Sequence, residues 1–298
     1  MLAHMGAADD VDEVVTGADG RRVGYLARGP RAGRPVLYLH GAPGSRREQR
    51  ILPDQVLRRF GVRLVSVDRA GYGATDPLPG GRPTRVRDVL TVCDALGIDG
   101  FPLVAVSSGG SYAITLAALE PDRVDRVVLS SAQMPYDDDN ALGDLQPDQR
   151  SELAALRAGR SPDLEREYEE ARSALLADVL DGMAGPMATL SRREQDWFAQ
   201  PWVQQVLVED VEEGVRASIE GYLEDGLSVV RPLEVDVTSV RAPVRAVHGS
   251  IDDWEPLDNL RRTLAGLADV QLFVLDGLNH FGPLLYPDLL VSLAVGDR

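Results

Sequence analysis

The chain runs to 298 residues, long for one average domain but within reach of a single α/β domain that carries an insertion. Its 47 acidic residues face 31 basic ones, all of them arginine, for a net charge of −16, which argues against non-specific binding to nucleic acid or an anionic membrane. With no lysine, Schiff-base chemistry, serine–lysine dyads and P-loop phosphate binding are excluded as well.

Met1–Asp10 shows no basic segment followed by an apolar one, and no apolar run of about 18 residues occurs, so neither export nor membrane spanning is expected. Cys93 is the single cysteine. A chain that cannot form an internal disulfide fits a reducing, cytoplasmic location. Cys93 shares a helix-like run with Val89, Leu90 and Leu96 and reads as core.

Glu13–Thr16 and Arg21–Ala27 flank Gly17-Ala18-Asp19-Gly20 and read as a hairpin. Pro35–Leu39 and Val62–Val67 read as strands and Thr84–Leu96 as a helix. Leu103–Val106 reads as a strand, Gly109–Leu119 as a helix and Val124–Leu129 as a strand. This alternation predicts a doubly wound, mainly parallel sheet of the α/β class.

The alternation stops near Tyr136 and resumes with the strand Val244–Val247. Between Tyr136 and Arg231, 22 acidic residues stand against 9 arginines, and only helical signals occur. Ser161-Pro162-Asp163 is an N-cap followed by proline. Leu164, Tyr168, Ala171, Leu175 and Val179 form an apolar stripe. Ser191-Arg192-Arg193-Glu194 is a capping box. Pro201–Leu227 reads as a long helix broken at Gly214 or Gly221. The expected organisation is a core in two parts, residues 1–135 and 233–298, around an all-helical insertion at 136–232. Leu257–Leu267 then reads as a helix, Val270–Leu275 as a strand and Pro287–Val295 as the closing helix.

Four turn segments carry the chemistry. They are Leu39-His40-Gly41-Ala42-Pro43-Gly44, Ala105-Val106-Ser107-Ser108-Gly109, Gly249-Ser250-Ile251-Asp252 and Asn279-His280-Phe281. Each follows a short apolar run and so belongs at the carboxyl end of a buried strand, where open α/β sheets bind their ligands. Acyl transfer needs a nucleophile, a base and donors for an oxyanion. The doublet Ser107-Ser108 allows two registers. A nucleophile on a sharp strand-to-helix turn needs small residues two before and two after it. Ser108 would have Val106 in the first of these places, whereas Ser107 has Ala105 and Gly109, which favours Ser107.

Together these segments resemble the α/β-hydrolase family, in the chain order Ser, Asp, His, from about Asp12 to the last helix. Ser107-Ser108-Gly109-Gly110-Ser111-Tyr112-Ala113 resembles the family's S-G-G-G-P-Y-A elbow, with Ala105 in place of its usual first glycine. Gly249–Pro256 resembles G-x-x-D-x-x-x-P, which selects Asp252 over Asp253 as the acid. Gly277-Leu278-Asn279-His280-Phe281 resembles G-x-G-H-F and implies His280 as the base. Asn279 stands there for a glycine, as a residue that tolerates positive φ. Of the other histidines, His4 lies in a start expected to carry no regular element, and His40 and His248 match H-G pairs that are usually structural in the family. The resemblance also implies an oxyanion hole from the backbone N–H groups of Ala42 and Ser108. It makes the helical insertion a lid, or cap, and Asp68-Arg69-Ala70-Gly71-Tyr72-Gly73 a structural turn.

Within the family this resemblance points to, serine at the elbow argues against the epoxide hydrolase and haloalkane dehalogenase branches, which use aspartate there, and the missing lysine argues against the hydroxynitrile lyases. The resemblance then implies a serine hydrolase cleaving a carboxylic ester of a small molecule with an apolar acyl or alcohol group. Trp197, Phe198 and Trp202 of the insertion, with Trp254 and Phe281, are candidates for the pocket that holds that group. The alternatives are an aminopeptidase like the proline iminopeptidases, although their G-G-S-W-G elbow is absent, and a carbon–carbon hydrolase or biosynthetic acyl transferase. A ligand-binding receptor on the same fold is a further one. No cofactor or metal is expected, since the histidines are scattered and one cysteine cannot build a structural zinc site.

Overall fold

A computed structural model describes residues 10–137, 145 and 147–296, and the start around His4 lies outside them. Strands β1 (Val11–Thr16) and β2 (Arg22–Arg28) form the expected hairpin, closed by Gly20 at φ 81°. They are followed by β3 (Arg34–Leu39), β4 (Val62–Val67), β5 (Phe101–Val106) and β6 (Val124–Ser130), then β7 (Val244–Gly249) and β8 (Val270–Leu275). The eight strands form one sheet in the order β1-β2-β4-β3-β5-β6-β7-β8, in which β2 runs antiparallel to both its neighbours and the other pairings are parallel.

The central strands are almost continuously apolar because helices cover both faces of a parallel sheet. Side chains alternate between faces with a period of two. Leu37, Leu39, Leu103, Ala105, Val127 and Leu129 enter one core. It is packed by α3 (Arg87–Leu96) and α4 (Gly109–Leu119). Val36, Tyr38, Val104, Val106 and Val128 enter the other, beneath α1 (Asp54–Phe60) and α12 (Pro287–Val295). Cys93 is buried in the first core, as its helical spacing indicated.

The helix expected at Thr84–Leu96 begins earlier and is split, α2 (Arg82–Arg85) ending one residue before α3. Arg82 anchors the early start: its buried guanidinium donates to Ser111 Oγ (3.1 Å) and to the Pro232 carbonyl (2.8 Å). Helix α1 gives no sequence signal, because seven residues with only Val56 and Leu57 buried show no period. α11 (Leu257–Leu264) ends before the expected Leu267, in a turn through Ala265 and Gly266.

Among the described residues, six α-helices lie between β6 and β7 in the chain: α5 (Pro147–Arg157), α6 (Pro162–Ala177), α7 (Val179–Ala188), α8 (Arg192–Phe198), α9 (Pro201–Arg216) and α10 (Glu220–Val229). Ser161 caps α6, and Ser191 with Glu194 forms the capping box of α8. The apolar stripe from Leu164 crosses a bend at Asp178, so Val179 belongs to α7. The long helix breaks between α9 and α10, at neither glycine. Gly214 and Gly221 lie inside their helices, where they permit close approach to the core. A Cβ on Gly214 would collide with the Gly44 carbonyl, and one on Gly221 with the Tyr72 ring. α9 packs on the short 3₁₀ turn Glu48–Ile51 after β3, and α8 on the turn Gly282–Leu285 after β8. The insertion therefore sits over the carboxyl ends of the strands.

Candidate active site

Between β5 and α4 the chain reverses at Ser107, whose φ of 49° is left-handed. A non-glycine residue holds that conformation only when its surroundings dictate it. Here the Ser107 N–H donates to Ser130 O (3.0 Å), while Ser107 O accepts from the N–H groups of Gly110 (2.9 Å) and Gln133 (2.8 Å). The turn needs its glycines: a Cβ on Gly109 would lie 2.6 Å from Leu39 O. Ser107 opens onto two cavities. Ser108 is buried, and its hydroxyl sits between Arg69 Nη2 (2.9 Å) and Asp225 Oδ2 (3.3 Å).

His280 follows β8, and its Nδ1 lies 3.0 Å and 3.3 Å from the two oxygens of Asp252, which follows β7. Asp252 Oδ1 also accepts the N–H groups of Trp254 (3.1 Å) and Glu255 (3.0 Å), which fix the carboxylate. A carboxylate on Nδ1 holds the proton there and leaves Nε2 as the basic nitrogen. Burial opposes a charged imidazole, but the Asp252 charge and its hydrogen bond outweigh it, so the His280 pKa is raised. Burial likewise opposes the Asp252 charge, yet His280 and His248 hold its pKa below the usual value. Asn279 departs from expectation, because the positive φ of this loop belongs to Gly277 (67°). Asn279 works through its side chain, whose Oδ1 accepts the His280 N–H (2.8 Å) and whose Nδ2 donates to Asp253 (2.8 Å).

The other two described histidines are tied into the scaffold. His40 Nε2 accepts the Arg69 N–H (3.1 Å), so its Nδ1 donates to Gly41 O (2.7 Å). His248 Nε2 lies 2.8 Å from Glu255 O.

One cavity is apolar. Ser107, Ala42 and His280 share it with Trp197, Phe198, Trp254 and Phe281, the last two packed against the imidazole. Trp202 is absent from its lining and packs edge-on to Trp197. The other cavity, which shares Ser107, Ala42 and Trp254 with the first, is polar and is lined by Ser108, Gln133, Tyr136, Tyr168, Asp225 and Glu255 among others. Neither the Ala42 nor the Ser108 backbone N–H finds an acceptor among the described residues. Among those residues no group of three or more His, Cys, Asp and Glu side chains could hold a metal ion, and no helix is long and apolar enough to cross a membrane.

Glu255 is buried and accepts from Tyr136 Oη (3.1 Å) and Gln133 Nε2. Burial pushes its carboxyl from 4.5 up to about 8. A pKa raised by folding means that the native state binds this proton more tightly than the unfolded chain. The stability it contributes is therefore present below the unfolded value and lost as pH rises toward about 8. Glu255→Gln is expected to flatten the fall in melting temperature between about pH 5 and about pH 9, by several degrees at the alkaline end. Parallel melting curves for the variant and the parent would overturn this.

Two pairs of functional interest have no local sequence signature. Glu48 Oε2 accepts the Gly41 N–H (3.0 Å) and the Tyr38 hydroxyl (3.0 Å), and burial pushes its pKa up to about 7. Asp210 of α9 lines the same apolar cavity, and burial followed by the nearby Glu48 raises its pKa too. The second pair is Arg69, in the turn after β4, with Asp225 of α10 at 2.7 Å. Only the basic residue in Asp68–Gly73 hints at it.

The sequence profile of the α/β-hydrolase fold family matches residues 34–281. A non-heme chloroperoxidase from Streptomyces lividans is 28% identical over 294 residues, 93% of this chain and 95% of that protein. A proline iminopeptidase from Lactobacillus delbrueckii subsp. bulgaricus is 32% identical over 105 residues, and a haloalkane dehalogenase from Psychrobacter cryohalolentis is 32% identical over 123. These two matches span only 35% and 40% of the relatives' lengths. An esterase from Exiguobacterium antarcticum superposes with a TM-score of 0.71 at 20% identity, covering 96% of this chain and 100% of that one, a likeness of fold. With a profile match over most of its length and this strand order, the chain belongs to the α/β-hydrolase fold family and is an enzyme of that family.

Proposed function

We propose that the protein is a serine hydrolase that cleaves a carboxylic ester through an acyl-enzyme on Ser107. The observation that carries this reading is a left-handed Ser107 opening onto the same cavity as His280, whose second nitrogen is bound to Asp252. Ser107 Oγ attacks the acyl carbon and its proton passes to His280 Nε2. The carbonyl oxygen becomes an oxyanion facing the N–H groups of Ala42 and Ser108. His280 then returns the proton to the leaving alcohol. A water activated by the same nitrogen releases the acid. Asp252 steadies the imidazolium without taking its proton.

In this reading residues 136–232 act as a cap that excludes water and selects the substrate. The apolar cavity takes an acyl or alcohol group. The polar one takes the other half of a small-molecule substrate. An aminopeptidase would need a free carboxylate for the substrate amine. The two buried carboxyls of the polar cavity are both committed, Asp225 to Arg69 and Glu255 to its proton, which leaves the rim residue Glu152 as the carboxylate an amine could reach.

The test is purified protein with a series of p-nitrophenyl esters, a matching p-nitroanilide and a small fluorophosphonate. Ester turnover and a covalent adduct on Ser107 are expected, unchanged by a chelator. A protein that neither labels nor hydrolyses would overturn the proposal. Trp197→Ala or Phe198→Ala is expected to change the ratio of kcat/KM between short and long acyl chains about ten- to a hundredfold, the discrimination an apolar pocket supplies. Labelling of Ser107 should slow far less. An unchanged chain-length profile would remove both residues from the pocket.

A further inference from the structure

We infer that Arg69 is a positioning residue for both backbone donors of the oxyanion hole, and that Asp225 makes the seating of the helical insertion a condition for that hole. The inference rests on the serine hydrolase reading above. Arg69 is buried at 4% exposure. Its Nη2 donates to Gly41 O (2.9 Å) and to Ser108 Oγ (2.9 Å). The Gly41 carbonyl and the Ala42 N–H belong to one peptide unit. A cation drawing electron density onto that oxygen strengthens the N–H at the other end of the conjugated group. The second contact clamps Ser108, whose own N–H is the other donor. One guanidinium is thus bonded to the peptide unit that carries the Ala42 N–H and to the Ser108 side chain.

The guanidinium is held from the insertion. Asp225 of α10 lies 2.7 Å from Arg69 Nη2 and 3.1 Å from Nη1. It also accepts from Tyr72 Oη (2.8 Å), Tyr112 Oη (2.9 Å) and Ser108 Oγ (3.3 Å). The rings of Tyr72 and Tyr112 flank the guanidinium, with centroids 5.3 Å and 4.7 Å from its carbon. A purely structural join between α10 and the core could be made as well or better by apolar side chains, since desolvation consumes most of what a buried ion pair gains. What the ion pair adds is a fixed charge against the Gly41–Ala42 peptide and Ser108.

The experiment compares the full-length parent with Arg69→Gln, Arg69→Lys, Asp225→Asn and Ser108→Ala. The readouts are kcat and KM on a p-nitrophenyl ester and affinity for a trifluoromethyl ketone, which forms a tetrahedral oxyanion adduct. Arg69→Gln should lower kcat about ten- to a hundredfold, less than the hundred- to thousandfold for outright loss of a donor. KM should change little, and ketone affinity should fall by the same factor as kcat/KM. Arg69→Lys should recover part of both, and Asp225→Asn should follow Arg69→Gln. Ser108→Ala removes only a hydroxyl and keeps the proposal testable if the charge variants do not fold. It should cost a few-fold, with ketone affinity falling in parallel. Full activity in Arg69→Gln, or in Ser108→Ala where the charge variants do not fold, overturns the proposal, as does lost activity with ketone affinity intact. A parent protein inert to both ester and fluorophosphonate would overturn the hydrolase reading instead.

Discussion

Ser107→Ala is expected to lower kcat for ester hydrolysis by about 10⁶, the scale of loss when a triad loses its nucleophile, and to end labelling by a fluorophosphonate. No neighbour can replace it. Ser108 Oγ is committed to Arg69 and Asp225, and Ser111 Oγ donates to the Ser108 carbonyl (3.1 Å). The residual rate over water, roughly 10³-fold, would come from the oxyanion donors and binding alone. Ser107→Gly should be equally inactive but more stable than Ser107→Ala by about 1 kcal/mol, because glycine occupies the left-handed region without the Cβ penalty. If Ser108→Ala were the dead variant and Ser107→Ala an active one, the register would be wrong. If Ser107→Gly melted no higher than Ser107→Ala, the elbow would not be strained.

Those parts of the molecule that depend on neighbours in sequence are legible in the sequence itself. The strand runs ending at Leu39, Val106 and Val247 are apolar stretches closed by turn residues, and the small residues around Ser107 favour it over Ser108. Pairings across the fold left no such trace. Arg69 and Asp225 are 156 residues apart, and an aspartate in a helix of an acidic segment looks like any other solvated charge. Gly214 and Gly221 look like helix breakers in the sequence because propensity sees only the backbone cost of glycine. The Gly44 carbonyl and the Tyr72 ring that require the small residue come from distant loops. For Asn279 the sequence suggests backbone tolerance, whereas the loop uses its amide.

Asp252→Asn is expected to lower kcat about 10⁴-fold, as loss of the carboxylate does in a serine triad, and to move the acid limb of kcat/KM to lower pH. Two effects combine. An amide can turn its N–H toward Nδ1, which sends the imidazole proton to Nε2 and leaves no base facing Ser107. The charge that offsets burial also disappears. In the parent the His280 pKa is raised because Asp252 outweighs burial, so activity, which needs the neutral imidazole, rises with pH through a value above the ordinary 6.5. Without Asp252 the burial effect loses its largest opposition, and the imidazole loses its proton at lower pH. Since kcat/KM reports groups of the free enzyme, its profile from about pH 5 to about pH 9 in parent and variant is the measurement. Glu255→Gln should accompany both, because a carboxyl near pH 8 beside His280 would otherwise distort the upper half of the curve. A limb that stays in place when Asp252 is replaced would mean that His280 does not set it, and the assignment of base and acid would fall together.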